Sequence, residues 1–334
     1  MVIKGEEHST GCRIGFVGTG GVAVRHARVL AGLGARVTAV TDVDPSRAAA
    51  FAAEHGGSVL PDAAAVAASG VDAVYVCVPP AAHGEPELAV VGAGVPLFVE
   101  KPLGADLAAA ERVAAALADA PVPTRVGHHW RVAEPVLRAV ELLRGRRVRL
   151  VNGWWLDKVP PVAWWLDKEV SGGPMVEQAV HVLDLARLLA GEVAEVHAFS
   201  AGPVEGGSTD VASAAVLRFA SGAVGTVATT CALAGKHRAG LEVVADGLVV
   251  GVGEDWLEVS DGTGVERTTY DPADGRTAAD REFLDVLRGS PPSGPGLPDH
   301  AEALRSHRLA CALAESVRTG AAVTLAGSVT GPAA

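Results

Sequence analysis

Apolar and polar positions fall into two regimes along this chain. From residue 12 to about 127, short apolar runs alternate with Ala-rich stretches that suit helices. The runs are 12–18 (CRIGFVG), 36–41 (RVTAVT), a short 58–60, 71–78 (VDAVYVCV), 96–99 and 122–126. VDAVYVCV is apolar without alternation, as a strand buried on both faces should be, and Pro79 and Pro80 stop it. Helices are expected between the runs, at 22–33, 45–55, 62–69, 85–93 and 106–118, the second opened by Asp44 and Pro45. Strands alternating with helices at this spacing predict βαβ units and a parallel, doubly wound sheet.

Beyond 127 the pattern changes. Segments 146–156, 193–200, 211–219, 223–231 and 241–250 read as strands, several joined by Gly-containing turns. One strong helix, 176–189, interrupts them, with Val180, Leu183, Leu185 and Leu188 apolar. A Pro/Gly loop at 289–299 precedes a helix at 300–319. An α/β fold is expected: a dinucleotide-binding parallel sheet at 12–127, then an α+β substrate domain at 128–325 with a mostly antiparallel sheet. WWLDK occurs twice, at 154–158 and 164–168, too little repetition for a solenoid.

Length and composition narrow the class. At about 150 residues per domain, 334 residues suggest two domains. With 49% hydrophobic and 20% charged residues, a predominantly disordered chain is excluded. The net charge of −11 and the lack of a basic run argue against nucleic-acid binding; Arg146, Arg147 and Arg149 form the only local basic knot. Cys12, Cys77, Cys231 and Cys311 are widely spaced without CxxC, so zinc ribbons and redox pairs are not expected, and a reducing cytoplasm is. Neither an apolar signal core at the N-terminus nor an unbroken apolar run of membrane-spanning length is present, so no membrane span is expected.

GFVGTGGVA contains Gly18, Gly20 and Ala23 as G-x-G-x-x-A, after an apolar strand and at the start of a helix. Gly18 would allow the tight turn, Gly20 a close approach of backbone to a pyrophosphate, and Ala23 close helix–strand packing. The amides that follow, at Gly21 and Val22, would take the negative charge. Asp42 ends the second run, where a carboxylate accepts ribose hydroxyls and repels a 2′-phosphate. Val43 stands where an Arg would have favoured that phosphate. NAD is therefore expected over NADP, although Arg47 could swing in.

Glu100-Lys101-Pro102 ends the fifth run, at the strand terminus where open α/β sheets bind ligands. Lys101 either polarises a substrate oxygen or is a surface lysine paired with Glu100. Glu177 and His181, four apart on the expected helix, would share a face. His181 suits proton transfer at neutral pH, with Glu177 orienting it or binding hydroxyls; a core histidine or a two-ligand metal pair are the other readings. No third metal ligand and no HExxH are apparent, so no metal is expected. Four of six Trp lie at Trp154, Trp155, Trp164 and Trp165, where they either stack on a sugar ring or fill a core or interface. His128, His129, Trp130 and Arg131 follow the last parallel strand and would line a pocket at the domain junction. Cys77, inside a buried run, reads as core rather than nucleophile.

GFVGTGGVA, CVPPAAHGEPELAV, LFVEKPLG and SGGPMVEQAVHVLDLARLLAGE together resemble the Gfo/Idh/MocA family of glucose–fructose oxidoreductase and inositol dehydrogenase relatives. The resemblance runs from about residue 12 to 325. It implies an N-terminal Rossmann domain and a C-terminal domain with a large open sheet, whose outer face is buried in a homodimer or homotetramer. It implies NAD(P)-dependent oxidation or reduction of sugars, cyclitols or their derivatives. By position, Lys101 resembles the lysine of the family's EKP motif and His181 its catalytic histidine. Pro79, Pro80 and His83 match the stretch lining the nicotinamide, and Glu100 falls in the same cofactor region. Substrate would sit near His128, Trp130, Arg131, Trp154 and Trp165. Glu177 departs from the pattern, since many relatives carry Asp there. The leading expectation is hydride transfer between a ring carbon and nicotinamide, with His181 moving the proton and Lys101 stabilising the oxygen. An NAD-dependent glycosidase using transient oxidation and a non-catalytic dinucleotide-binding regulator are the alternatives.

Overall fold

A computed structural model describes residues 11–290, 292 and 294–325. The N-terminal decapeptide and two positions of the Pro/Gly loop, Pro291 and Ser293, lie outside them. The first half runs β1 (Arg13–Val17), α1 (Gly21–Gly32), β2 (Arg36–Thr41), α2 (Pro45–His55), β3 (Ser58–Val59), α3 (Ala63–Ala68), β4 (Ala73–Val76), α4 (Glu85–Gly92), β5 (Leu97–Val99), α5 (Leu107–Asp119) and β6 (Thr124–Val126). The expected elements are all present, with helix starts set by side-chain caps: Asp44, Asp62 and Asp106 each accept a backbone N–H of the first turn. All pairings are parallel, in the order β3-β2-β1-β4-β5-β6, the doubly wound Rossmann arrangement. Every residue of β4 is buried, which explains its unbroken apolar run.

The second half runs α6 (Glu134–Leu143), β7 (Val148–Leu156), α7 (Lys168–Ser171), α8 (Pro174–Glu177), α9 (Val180–Ala190), β8 (Val193–Ser200), β9 (Ala212–Phe219), β10 (Val224–Thr230), β11 (Arg238–Ala245), β12 (Leu248–Val252), β13 (Trp256–Ser260), β14 (Val265–Thr269), α10 (Pro272–Leu287), α11 (His300–Thr319) and β15 (Val323–Thr324). Among the described residues these strands form one nine-stranded sheet, β14-β13-β12-β11-β7-β10-β9-β8-β15, antiparallel except at β7–β10. Helices α6, α9 and α11 pack on one face and bury Val151, Val182, Leu183, Leu241 and Leu313. The other face is open, and Phe199, Val216 and Val224 stand exposed on it.

Two expectations change here. Segment 241–250 is not one strand: Asp246 and Gly247 make a tight turn, with Gly247 at φ +75°, and β11 pairs back onto β12. The apolar residues on either side hid that turn. The helix expected at 176–189 is also broken, because α8 stops at Glu177 and α9 starts at Val180. Pro174 opens α8 after two glycines at positive φ, so the chain enters as a single separate turn.

Helix α10 was not expected. It returns to the first sheet, where Ala279, Phe283 and Leu284 join the core of Phe16, Tyr75 and Phe98. The two sheets thus divide near residue 127, but chain from beyond that point completes the layers on the first sheet. Gly153 explains how closely α9 lies on the second sheet. A Cβ there would stand 2.6 Å from Val182 Cγ1 and 3.2 Å from Val227 Cγ2.

Candidate active site

The turn after β1 has the features of a phosphate cradle. Gly18 has φ +84°, and a Cβ on it would lie 2.4 Å from the Cys77 carbonyl oxygen, so both conformation and space require glycine. Gly20 caps α1 with no side-chain bond to the first-turn amides. A Cβ on Gly20 or Gly21 would meet nothing within 4 Å. Uncapped amides facing open space beside the partly exposed Val22 fit a pyrophosphate. Ala23 is buried against the sheet, as the motif requires.

Asp42 closes the far side of this turn. Its Oδ2 accepts the Thr19 N–H and hydroxyl, both at 2.8 Å, and its Oδ1 accepts Asp44 N–H at 2.9 Å and Arg47 at 3.1 Å. Burial would raise its pKa, but the hydrogen bonds from Asp44 and Thr19 outweigh that and hold it low. Arg47 has therefore swung onto Asp42, and an entering ribose hydroxyl would displace that exposed side chain. Val43 beside it is 97% exposed.

At the carboxyl end of β5, Lys101 Nζ donates to the backbone oxygen and to Oε1 of Glu177, both at 2.9 Å. The other oxygen of Glu177, Oε2, accepts Trp165 Nε1–H at 2.9 Å. This ammonium and carboxylate tie the end of β5 to α8. Lys101 is not paired with Glu100, which accepts only its backbone N–H, at 3.1 Å.

His181 stands in an aromatic cage in the first turn of α9. Its ring stacks on Trp130 at 5.2 Å and 13° and on Trp155 at 6.1 Å and 19°. The rings of His129 and His128 meet it edge-on at 5.0 and 5.7 Å. Its buried Nδ1 has no hydrogen-bond partner. Burial first, and then the Lys101 ammonium, push its pKa well below the usual histidine value. Burial thus favours the neutral ring, whose Nδ1 is left without a partner. Beyond His129, whose Nε2 lies 3.1 Å from Glu254, Arg276 and Lys236 share the same carboxylate, and Lys236 lies 5.1 Å from the Trp155 ring centroid.

Several expected site residues stand elsewhere. Successive strand side chains point to opposite faces, and Trp155 takes the face of Val151 and Gly153 toward His181. Trp154 therefore takes the open face, under the Arg238 guanidinium at 3.9 Å. Trp155 replaces it at the site, and alternation along β7 was the signal for this. Arg131 forms a two-pronged pair with Asp184, both contacts 2.7 Å, and is 4% exposed, so it ties the junction segment to α9. Trp165 is fully buried and acts on Glu177 rather than presenting a stacking face. His83 is turned inward onto Glu87 in the first turn of α4, beside the buried Pro80 and after Pro79. His128 is buried 3.7 Å from Asp184, and burial pushes its pKa to about 4. Glu100 faces His26 at 2.9 Å rather than the cofactor turn.

The sequence profile of the "Oxidoreductase family, NAD-binding Rossmann fold" matches residues 12–128, and that of the "GFO/IDH/MocA C-terminal domain" matches 143–247. The chain belongs to the Gfo/Idh/MocA oxidoreductase family. The inositol 2-dehydrogenase of Rhizobium meliloti (strain 1021) is 33% identical over 188 residues, 54% of this chain and 55% of that protein. Inositol 2-dehydrogenase 1 of Saccharopolyspora erythraea is 44% identical over 108 residues, 31% of this chain and 32% of that protein. The matched stretches thus span about half or less of these relatives. Levoglucosan dehydrogenase in complex with NADH and L-sorbose superposes with a TM-score of 0.84 at 20% identity, over 94% of this chain and 99% of that one. The WlbA dehydrogenase of Bordetella pertussis, in complex with NADH and UDP-GlcNAcA, gives 0.82 at 23% identity, over 94% and 98%. At these identities the superpositions establish a shared fold.

Proposed function

We propose that the protein is an NAD-dependent oxidoreductase acting on a secondary alcohol of a sugar, sugar derivative or cyclitol. The observation that carries this reading is the meeting of Lys101, Glu177 and the caged His181 at the end of a parallel sheet whose phosphate turn is open and uncapped. Bound nicotinamide dinucleotide supplies the acceptor or donor of two electrons. Gly18, Gly20, Gly21 and Val22 would hold its phosphates and Asp42 its ribose. The carboxylate of Asp42 favours NAD over NADP.

Lys101 presents an ammonium to the substrate oxygen and stabilises charge developing there. Glu177 orients that ammonium and leaves an acceptor for a neighbouring hydroxyl. The neutral imidazole of His181 accepts the hydroxyl proton in oxidation and returns it in reduction. The flat stack of Trp130, His181 and Trp155 fixes the ring plane.

The open face of the second sheet, with Phe199, Val216 and Val224, is assigned to a homodimer or homotetramer contact. Its four cysteines are free, which agrees with a reducing, cytoplasmic setting. No helix among the described residues is long and apolar enough to cross a membrane.

The test is a panel of inositols, aldoses and uronic acids with NAD and NADP, read by the near-ultraviolet absorbance of the reduced coenzyme. Turnover with at least one substrate, lost by about 10²-fold or more in Lys101→Ala and His181→Ala, is the expected result. Coenzyme binding without turnover, or full activity in both variants, would overturn the reading. Sugar release without net coenzyme change would indicate a glycosidase.

A further inference from the structure

A second group of ionisable side chains lies buried behind Lys101. His26, in the middle of the phosphate-binding helix α1, is 4% exposed and sits between two carboxylates. Its Nδ1 is 2.7 Å from Asp280 Oδ1 and its Nε2 is 2.9 Å from Glu100 Oε1. The Tyr75 hydroxyl donates to the same Asp280 oxygen at 3.1 Å. Asp280 belongs to α10, 254 residues further along the chain. The ring packs against the stacked pair of Tyr75 and Phe98, 5.2 Å from each centroid while those two lie 4.5 Å apart.

The geometry fixes the charge state. A neutral imidazole donates from one nitrogen only, whereas here both nitrogens face carboxylate oxygens. Burial would lower its pKa, but the charge and hydrogen bond of Asp280, then those of Glu100, raise it to about 9. Glu100 answers in the opposite sense. Burial would raise it, but the hydrogen bond and charge of His26 bring it to about 2. The other titratable neighbours include Arg25, 3.8 Å from Glu100 Oε1, the Lys101 ammonium, His128 and His129, which feel the Glu100 charge, and the thiol of Cys77, which burial and these carboxylates keep protonated.

Glu100 carries this charge to the reacting lysine. Its Oε2 accepts the Lys101 backbone N–H, so the peptide plane from which Lys101 reaches Glu177 is fixed by a carboxylate that His26 holds. Gly127 leaves room for it, since a Cβ there would strike the Glu100 carboxylate at 2.8 Å.

We propose that His26 is a positioning residue: its imidazolium ties the phosphate-binding helix to the Lys101 loop and sets the ammonium against Glu177. The helix that receives the dinucleotide phosphates and the loop that receives the substrate oxygen thereby keep one relative placement. This inference rests on the reading of Lys101 as the group acting on substrate.

The test uses the full chain with His26→Gln, the double variant His26→Gln/Asp280→Asn, and Tyr75→Phe as a control that keeps the Glu100 contact. His26→Gln strands two facing carboxylates and lowers the melting temperature. The double variant removes the stranded Asp280 charge and recovers much of that loss. In both, kcat falls by roughly 10–100-fold, as a displaced reacting group predicts. The primary deuterium isotope effect on kcat rises, while the NAD dissociation constant changes less than about threefold, a small shift on the affinity scale. Hydrogen exchange, which needs no turnover, shows lost protection at the Lys101 amide in both variants and not in Tyr75→Phe. Recovery of kcat together with stability in the double variant, or unchanged exchange at Lys101, would refute the proposal. If Lys101→Ala retains activity, the functional reading fails instead, and the exchange measurement alone decides whether His26 holds the loop. If His26→Gln does not fold, the double variant gives the same readouts.

Discussion

Gly153→Ala places a methyl group where β7 meets α9, next to the residue that carries the proposed chemistry. The added carbon would stand 2.6 Å from Val182 Cγ1 and 3.2 Å from Val227 Cγ2. Non-bonded carbons settle at about 3.5–4.0 Å, so α9 must lift by roughly 1 Å. Val182 cannot rotate away cheaply, because a helical valine is held to one χ1 rotamer. Overpacking of this kind costs about 1–3 kcal/mol, offset by about 0.5–1 kcal/mol from replacing a strand glycine with alanine. A net loss of about 1 kcal/mol, within a range of about 0–2.5 kcal/mol, is expected in urea or thermal unfolding. His181 precedes Val182, so the same lift moves the imidazole off the Trp155 face. A displacement of that size costs up to about 10²-fold in kcat. Val182→Ala removes the clashing methyl, so Gly153→Ala/Val182→Ala should be more stable than the sum of the single variants by about 0.5–3 kcal/mol. Strictly additive effects in the double variant, with kcat of Gly153→Ala unchanged, would show that α9 is not held down by this contact.

Asp42→Asn keeps the size of the side chain but removes the charge that opposes a 2′-phosphate, with Arg47 already 3.1 Å away; the NADP/NAD ratio of kcat/KM should rise by roughly 10-fold or more, about 1.4 kcal/mol per decade. Stability should peak near pH 6.5. His128 and His300 are pushed by burial to about 4, so their contribution is complete above the unfolded value of about 6.5 and is lost as pH falls toward 4. His26, raised to about 9, contributes fully below about 6.5 and loses that contribution as pH rises through 9. Melting temperatures across this range check both limbs, and His26→Gln should flatten the alkaline one. Phe199→Glu puts a charge on the open sheet face and should lower the sedimenting mass without lowering the melting temperature of the separated chain. An unchanged mass would remove that face from the interface.

Much of the architecture can be read locally because its determinants are local. Turn chemistry, cap residues and the period of apolar positions specify β1 through β6 and their helices. A glycine pair after a strand marks the phosphate turn whatever else the chain does. Lys101 drew notice locally, at the end of an apolar run, whereas His181 reads equally as a core histidine on a helix buried almost all round, and only the family resemblance singles it out. Helix α6 was missed although Val136, Ala139, Val140 and Leu143 mark a helical face, and β14 was missed because all of its residues are exposed.

Contacts between distant residues decided the rest. Whether Trp154 or Trp155 faces the site depends on which side of β7 receives α9. Arg131 reads as a ligand for substrate until Asp184, 53 residues away, folds onto it. Trp165 and His83 likewise meet their carboxylates only in the folded chain. The charge of His26 cannot be known before α10 brings Asp280 against it. Pattern along a chain expresses the conformational preferences of neighbouring residues, whereas the partner and protonation state of a buried polar group are set by whatever the finished packing places within 3 Å.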